Sequence, residues 1–241
     1  MRTGAFMQTR ETDLKYFYEL IRELLRVSGG YCRLSSASGR DNWPERGLYF
    51  FFEGGERRRG SGTGDRVVRV GTHALTAGSR ATLWNRLSQH RGSFTSRGGN
   101  HRGSIFRLLV GKALIKRERL SCPTWGALGG SAPKDVRAVE LSMEQRVSAE
   151  IGAMPMLCLG VDDAPGPGSD RGRIEQGSIA LLSEFGKPAL DPASPKWLGH
   201  DCDRLKVRQS GLWNNRHVDE TYDPTFLDVM AHWVKKQGGK R

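Results

Sequence analysis

The sequence lacks an apolar run long enough to span a bilayer, and its first ten residues lack the hydrophobic stretch of a signal peptide. Cysteine is also scarce, and no two cysteines form a CxxC pair. The four cysteines are Cys32, Cys122, Cys158 and Cys202. These absences argue against a membrane protein, an exported protein, a disulfide framework and a zinc site. We therefore expect a protein of the reducing cytoplasm with no membrane partner.

Acidic residues are nearly missing from one long stretch. Between Arg57 and Arg119 there are thirteen arginines and two lysines but only two acidic residues, Asp65 and Glu118. This stretch therefore has a net charge of +13, whereas the whole chain has +12, so the rest of the chain is close to neutral. Arginine is the residue suited to bidentate phosphate contacts. Such a concentration indicates a polyanionic partner, and nucleic acid is the commonest one.

The length of 241 residues fits one domain with elaborations, and 37% hydrophobic residues suffice for a core. Apolar spacing predicts helices at 11–27, 81–91, 141–151, 174–185 and after Asp223-Pro224. Aromatic and β-branched enrichment predicts strands at 47–52, 67–70 and 104–110, with 154–161 a buried apolar run. The pattern favours an α+β fold: a small antiparallel three-stranded sheet flanked by helices.

A few polar residues stand out within these elements. In the first strand Tyr49 faces away from Leu48, Phe50 and Phe52, on the side of Phe51. Ser79 is the expected cap of the second helix, on which Arg86 and His90 are four residues apart and share one face. Glu175 opens an apolar helix. Alone, each has an ordinary explanation as a core tyrosine, a surface pair or an N-terminal helix charge.

Taken in order, these signals resemble a known family. The triplets Gly47-Leu48-Tyr49 and Arg69-Val70-Gly71, followed by a helix with Arg86 and His90, resemble the GIY-YIG nucleases. Ile174-Glu175 is similar to the glutamate helix of that family, and Gly211-Leu212-Trp213-Asn214 to its asparagine element, in the form of its restriction enzymes.

The resemblance covers residues 46–215, with insertions at about 112–172 and 186–210. It leaves residues 1–45 as an N-terminal helical extension and residues 216–241 as a C-terminal helix packed on the domain.

The resemblance implies a metal-dependent endonuclease that hydrolyses DNA, in restriction or defence. Glu175 would hold one Mg²⁺ or Mn²⁺ ion per site, and Arg86 would contact the scissile phosphate. Tyr49 would be the base or would position the attacking water. His90 would take up or relay the proton of the Tyr49 hydroxyl. Asn214 would orient the phosphate or a catalytic side chain. Double-strand cleavage of duplex DNA would then require a homodimer or sequential nicking.

The second triplet departs from the family, because Arg69 stands where the tyrosine is expected. His73, two residues beyond Gly71, is a candidate to supply the missing function, and loss of activity is the alternative. Within the basic stretch we expect a group of residues to contact DNA. These are Arg69, Arg91, Arg97, Asn100, His101 and Arg102.

Three other interpretations stay open. Asp162-Asp163 follows an apolar run and could hold two metal ions, although ordinary loop aspartates explain the pair better. Asn100-His101 invites comparison with His-Asn-His nucleases, but their hairpin and metal-binding helix are not evident. A non-catalytic nucleic-acid-binding protein on a degenerate nuclease fold fits the charge equally well.

Overall fold

The computed structural model describes residues 2–127, 129 and 131–239. In this part of the chain the helices are α1 (Arg2–Ser28), α2 (Leu83–Arg91), α3 (Ile105–Arg117), α4 (Lys134–Ala153), α5 (Asp170–Leu182), α6 (Leu205–Ser210) and α7 (Phe226–Gly238). The strands are β1 (Cys32–Arg33), β2 (Gly47–Arg57), β3 (Asp65–Gly71) and β4 (Pro155–Gly160), and short 3-10 helices form at His101–Gly103 and Leu198–Asp201. None of the described helices combines the length and apolar character that crossing a membrane requires.

The α+β class is confirmed, but the described sheet has four strands where the sequence predicts three. Their order is β1-β4-β2-β3, with every neighbouring pair antiparallel. The predicted β2–β3 hairpin is present. On its other side β2 pairs with β4, which forms within the predicted buried apolar run at 154–161.

The predicted strand at 104–110 is wrong, because this segment begins helix α3. The side chain of Ser104 accepts a hydrogen bond from the backbone N–H of Arg107 and caps the helix. The buried apolar residues follow helical spacing over the full length of the segment. They are Phe106, Leu109, Val110, Ala113 and Leu114.

Two apolar clusters cover opposite faces of the sheet. Alternation along β2 directs Leu48, Phe50 and Phe52 into one cluster, with side chains of α1, α5 and α7. Tyr49 and Phe51 point into the other, with side chains of α2, α3 and α4. The predicted facing of Tyr49 is therefore confirmed. Its side chain is covered by α2, α3 and α4, and α4 lies within the insertion predicted at about 112–172.

The β2–β3 pairing contains an irregularity beside Tyr49. Phe51 pairs with Arg69, whereas Phe52 pairs with Val67, so one extra residue, Val68, is accommodated on β3. As a result, Val68 and Arg69 both contact the Tyr49 side of the sheet: Val68 joins its apolar cluster, and the Arg69 guanidinium lies over the ring of Phe106.

A carboxylate of β2 makes stability depend on pH. Glu53 Oε2 accepts hydrogen bonds from the indole N–H groups of Trp197 and Trp213, 3.1 Å each. Burial raises the pKa of Glu53 to about 7, although these two donors counteract the rise. Between about pH 4.5 and pH 7 the folded protein therefore keeps a proton on Glu53 that the unfolded chain has already released. As a result, the free energy of unfolding falls as pH rises through this range.

We expect Glu53→Gln to become more stable relative to wild type by up to about 3 kcal/mol as pH rises from about 4.5 to about 7.5. Urea unfolding of both proteins across this range measures the difference. Glu19→Gln on the exposed side of α1 is the control and should show no such trend. A Glu53→Gln difference that stays constant with pH would contradict the prediction.

Candidate active site

Tyr49 lies at the start of the hairpin, where β2 begins and β3 ends. It pairs with Gly71 on β3 and with Cys158 on β4. A Cβ on Gly71 would come within 2.2 Å of the Tyr49 hydroxyl oxygen, so only glycine allows the phenol to lie across β3. The ring of Tyr49 is buried and meets that of His90 edge to face, with centroids 5.4 Å apart. The last residue of the second triplet therefore makes room for the last residue of the first.

The Tyr49 hydroxyl is part of a hydrogen-bonded chain. It lies 2.8 Å from Nε2 of His90, whose Nδ1 lies 2.7 Å from the hydroxyl of Ser104. His90 is fully buried, and burial lowers its pKa well below the ordinary value, assisted by the charges of Arg86, Arg69 and Arg107. The imidazole is therefore neutral near pH 7, with one ring nitrogen free to accept a proton.

Ser104 is a site residue that the sequence reasoning missed. It caps α3 and contacts His90 at the same time, so the helix start is fixed against the imidazole. A serine followed by helical apolar spacing is the signal that could have revealed the cap. Its contact with a histidine fourteen positions earlier has no local signature.

The end of α2 is held by Arg107 of α3, which forms an ion pair with Glu144 of α4. Arg107 donates to the backbone oxygen of His90 at 2.7 Å and to Glu144 Oε2 at 2.6 and 2.9 Å. Arg107 and Glu144 are both buried. Because a buried pair of this kind tolerates little displacement, α4 fixes the position of the His90 backbone.

Two arginines bring positive charge to the Tyr49 face of the sheet. Arg86 is half-buried on α2 and donates to Gln89 at 2.9 Å and to the backbone oxygen of Gly103 at 3.3 Å. Arg69 is buried, donates to the backbone oxygen of Trp213, and lies 4.6 Å from the ring centroid of Phe106. Burial lowers the pKa of Arg69, while the nearby Tyr49 oxygen counteracts this.

Glu175 reaches the same end of the hairpin from α5. Its Oε1 accepts the backbone N–H of Thr72 at 3.1 Å, and the Thr72 hydroxyl donates to the backbone oxygen of Gly47. Burial raises the pKa of Glu175, and the charges of Arg69 and His217 oppose the rise. Glu175 is in the second turn of α5, which begins at Asp170, so the expectation that it opens the helix is wrong.

Glu175 is also the residue that could hold a metal ion. The described residues contain no group of three or more His, Cys, Asp or Glu side chains arranged as a metal cage. Oε2 of Glu175 accepts no hydrogen bond from the described residues, while Oε1 is held in place by Thr72. A single half-buried carboxylate oxygen fits Mg²⁺, which retains most of its waters and needs few protein ligands.

Asn214 is hydrogen-bonded to the strand that carries Arg69, whereas the ring of His73 is buried without a hydrogen bond among the described residues. The Asn214 side chain donates to the backbone oxygen of Val70 at 2.8 Å and accepts from its N–H at 3.2 Å. It thereby holds the strand segment that carries Arg69. His73 is buried, and burial lowers its pKa to about 4, assisted by the nearby charge of Arg171. Neither ring nitrogen of His73 forms a hydrogen bond within the described part of the chain.

The residues expected to contact DNA divide into exposed and buried ones. Arg97 and Asn100 are exposed, and Arg91 is partly exposed. The side chain of Arg102 is only 3% exposed and forms an ion pair with Glu140 at 2.7 Å, which holds it against α4. These placements leave the basic loop accessible at Arg97 and Asn100.

His101 and Arg69 are buried, so a direct phosphate contact does not fit their positions in this structure. His101 stacks on Trp125 with ring centroids 3.9 Å apart, and its Nδ1 lies 2.9 Å from Glu144. The physical reason is the carboxylate of α4, which attracts the imidazole inward.

The two rival nuclease interpretations find no support. Asp163 forms an ion pair with buried Arg171 at 2.8 Å, and the exposed neighbour Asp162 has no second carboxylate arranged with it among the described residues. Asn100 caps a short 3-10 helix, and His101 is the buried stacking residue described above. Loop aspartates and a structural histidine account for both motifs.

The fold and these side chains define an α+β domain with a polar cluster at the end of a hairpin. The chain belongs to the GIY-YIG family, because the family's GIY-YIG domain matches residues 8–239. Members of this family are nucleases that generally depend on a divalent metal ion and act on nucleic acid. Neither the curated proteins nor the solved structures gave a match.

Proposed function

We propose that the protein is a metal-dependent endonuclease that hydrolyses phosphodiester bonds in duplex DNA, in restriction or defence. The observation that carries the proposal is the convergence of Tyr49, His90 and Glu175 at one end of the hairpin, with Arg69 and Arg86 beside them. Family membership supports nuclease chemistry, and the basic stretch from Arg57 to Arg119 supports a polyanionic substrate.

Tyr49 and His90 form the proposed proton path. When His90 carries its proton on Nδ1 and donates it to Ser104, Nε2 can accept a hydrogen bond from the Tyr49 hydroxyl. The Tyr49 oxygen then positions the attacking water and takes its proton, and His90 receives the phenolic proton. The lowered pKa of His90 keeps the ring neutral before this step, although it also makes the imidazole a weaker base.

The arginines stabilise charge on the other reacting groups. Arg86 is partly exposed and contacts the scissile phosphate, where negative charge develops during attack. Arg69 replaces the family's second tyrosine with a cation next to the Tyr49 oxygen, where negative charge would appear as that hydroxyl loses its proton. Asn214 holds Arg69 in place through Val70, which makes Asn214 a positioning residue.

Glu175 is the proposed ligand of one Mg²⁺ or Mn²⁺ ion per site. When bound, such an ion would polarise a phosphate oxygen and stabilise the leaving oxygen. The Thr72 amide holds one carboxylate oxygen of Glu175, so the other keeps a fixed direction. His73 is the proposed substitute for the missing tyrosine of the second triplet, although no contact joins it to Tyr49 and burial lowers its pKa to about 4.

We further propose that residues 46–215 form the nuclease core, with α1 as an extension and α7 as a C-terminal helix packed on it. The insertion at 112–172 supplies α4, whose Glu144 fixes Arg107 at the end of α2. The described residues contain one such cluster, so cutting both strands would require a homodimer or two successive nicks. A cytoplasmic location is part of the proposal, and none of the four cysteines forms a disulfide.

Supercoiled plasmid tests the proposal directly. Purified wild type is expected to nick or linearise it with Mg²⁺ or Mn²⁺ and to leave it intact in EDTA, and single-stranded RNA of matched length is the substrate control. Discrete fragments would indicate a recognition sequence. Salt-sensitive DNA binding with no cleavage under any metal would instead support the non-catalytic binding protein.

A further inference from the structure

The loop after α2 presents an aromatic ring to solvent. Phe94 is 77% exposed, the highest value among the large apolar side chains of the described residues. An isolated exposed ring needs no explanation by itself. This one lies in the stretch that contains no carboxylate between Asp65 and Glu118.

The loop that carries Phe94 is held rigidly. Ser93 N–H donates to the backbone oxygen of Gly98 at 2.7 Å, and Gln145 on α4 donates to the backbone oxygen of Ser96 at 2.9 Å. A Cβ on Gly92 would meet the Gly98 oxygen at 2.2 Å, so the two ends of the loop are in direct contact. These contacts lower the cost of ordering the loop backbone when its tip binds a partner.

Phe94 is the outer end of a stack of rings and one cation. The guanidinium of Arg91 lies 5.6 Å from the Phe94 ring centroid and 5.3 Å from that of Trp84. Trp84 in turn stacks on Trp43, with centroids 5.3 Å apart and planes at 21°. Arg91 also donates to the backbone oxygen of Ala37, which fixes its position. The exposed ring is therefore supported from beneath.

A groove adjoins the loop on the side of the proposed active site. Its volume is about 450 Å³, and its lining consists of small or uncharged residues. The lining residues are Ser88, Gln89, Gly92, Ser93, Ser96, Gly98, Gly99, Asn100 and Gly103. Arg86 donates to two of these, Gln89 and Gly103, so the groove borders the side chain proposed to contact the scissile phosphate. Glycine and serine let a sugar-phosphate backbone approach closely.

We propose that Phe94 is a wedge that inserts between neighbouring bases of DNA while one strand's backbone lies in this groove. The inference rests on the proposed function, which supplies DNA as the substrate. Apolar wedges unstack base steps and bend the duplex, and an adjacent guanidinium favours the polyanion over an apolar protein partner. The wedge would hold the strand in position beside Arg86.

The test measures binding and unstacking without cleavage. Kilobase-length duplex DNA, synthesised with 2-aminopurine in place of part of its adenine, is titrated with protein in EDTA. Wild type is expected to raise the fluorescence, because 2-aminopurine brightens when it unstacks. Phe94→Ala is expected to bind about 5- to 150-fold more weakly and to give no rise, since stacking on one ring accounts for about 1–3 kcal/mol. Phe94→Tyr should restore both signals.

Val139→Ala is the matched control, because Val139 is 70% exposed on α4. It should bind and unstack DNA as wild type does. Equal binding and fluorescence for wild type and Phe94→Ala would overturn the inference. So would loss of self-association in Phe94→Ala, measured by sedimentation, without any change in DNA binding. Cleavage is assayed separately with Mg²⁺, so a Phe94-dependent fluorescence rise without cleavage would refute the proposed function alone.

Discussion

A Glu175→Gln protein is expected to lose cleavage by on the order of 10³-fold or more while its DNA affinity stays the same or rises slightly. The amide keeps an oxygen that can accept the Thr72 N–H, so the local fold should persist. It removes the negative charge that a divalent cation needs. It also removes a negative charge near Arg86 and Arg69, where phosphate is proposed to bind.

Two measurements separate this role from a structural one. Cleavage of plasmid is followed against Mg²⁺ concentration, and Mn²⁺ binding is followed by electron paramagnetic resonance. The variant should bind the ion more weakly. Glu184→Gln is the control: Glu184 is another half-buried carboxylate with a burial-raised pKa, and it bonds the backbone of Leu190 and Asp191. Wild-type cleavage by Glu175→Gln at ordinary Mg²⁺ would refute the metal-ligand role.

Tyr49→Phe is expected to lower the cleavage rate by about 10²- to 10⁴-fold, the range for loss of a general base. The phenyl ring fills the same space over Gly71, and the change leaves Nε2 of His90 without its partner. A buried unpaired nitrogen costs about 1–3 kcal/mol of stability, so thermal unfolding should shift modestly. DNA binding in EDTA should change little.

Tyr18→Phe provides the control for this prediction. Tyr18 is also buried, and its hydroxyl accepts the N–H of Val67, but it lies in the apolar cluster on the opposite face of the sheet. It should lose similar stability and keep full activity. If both variants cut plasmid equally well, the Tyr49 hydroxyl has no chemical role. If both lose activity equally, the loss follows from destabilisation.

The sequence was most informative where local pattern and ordered motifs agree. The β2–β3 hairpin, the side of the sheet that Tyr49 faces and the pairing of Arg86 with His90 on one helix all follow from residue periodicity. Tyr49, Arg86 and His90 are therefore placed by patterns that are local in the chain. Family membership confirms the resemblance that these motifs suggested.

The errors arise where the deciding contact is distant in sequence. The mainly apolar run from Ser104 to Val110 is short, and such a run fits a helix and a strand equally well. The buried apolar residues that follow it continue the helical spacing and show that the segment is a helix. Strand β4 pairs Gly160 with Gly47, a partner more than a hundred residues away. His101 looks like a surface group of a basic loop until Glu144 is brought against it.

The contact of Trp213 and Asn214 with β3 closes one side of the sheet. The N–H of Trp213 donates to the backbone oxygen of Val68 at 2.7 Å, and the Asn214 amide pairs with Val70 as a neighbouring strand would. At the other side, β1 extends over only Cys32–Arg33. Within the described sheet, neither border offers a long row of unpaired backbone groups, which limits edge-to-edge aggregation. Two copies that met on a cut duplex would have to associate through helices or loops instead of continuing the sheet from one molecule into the next.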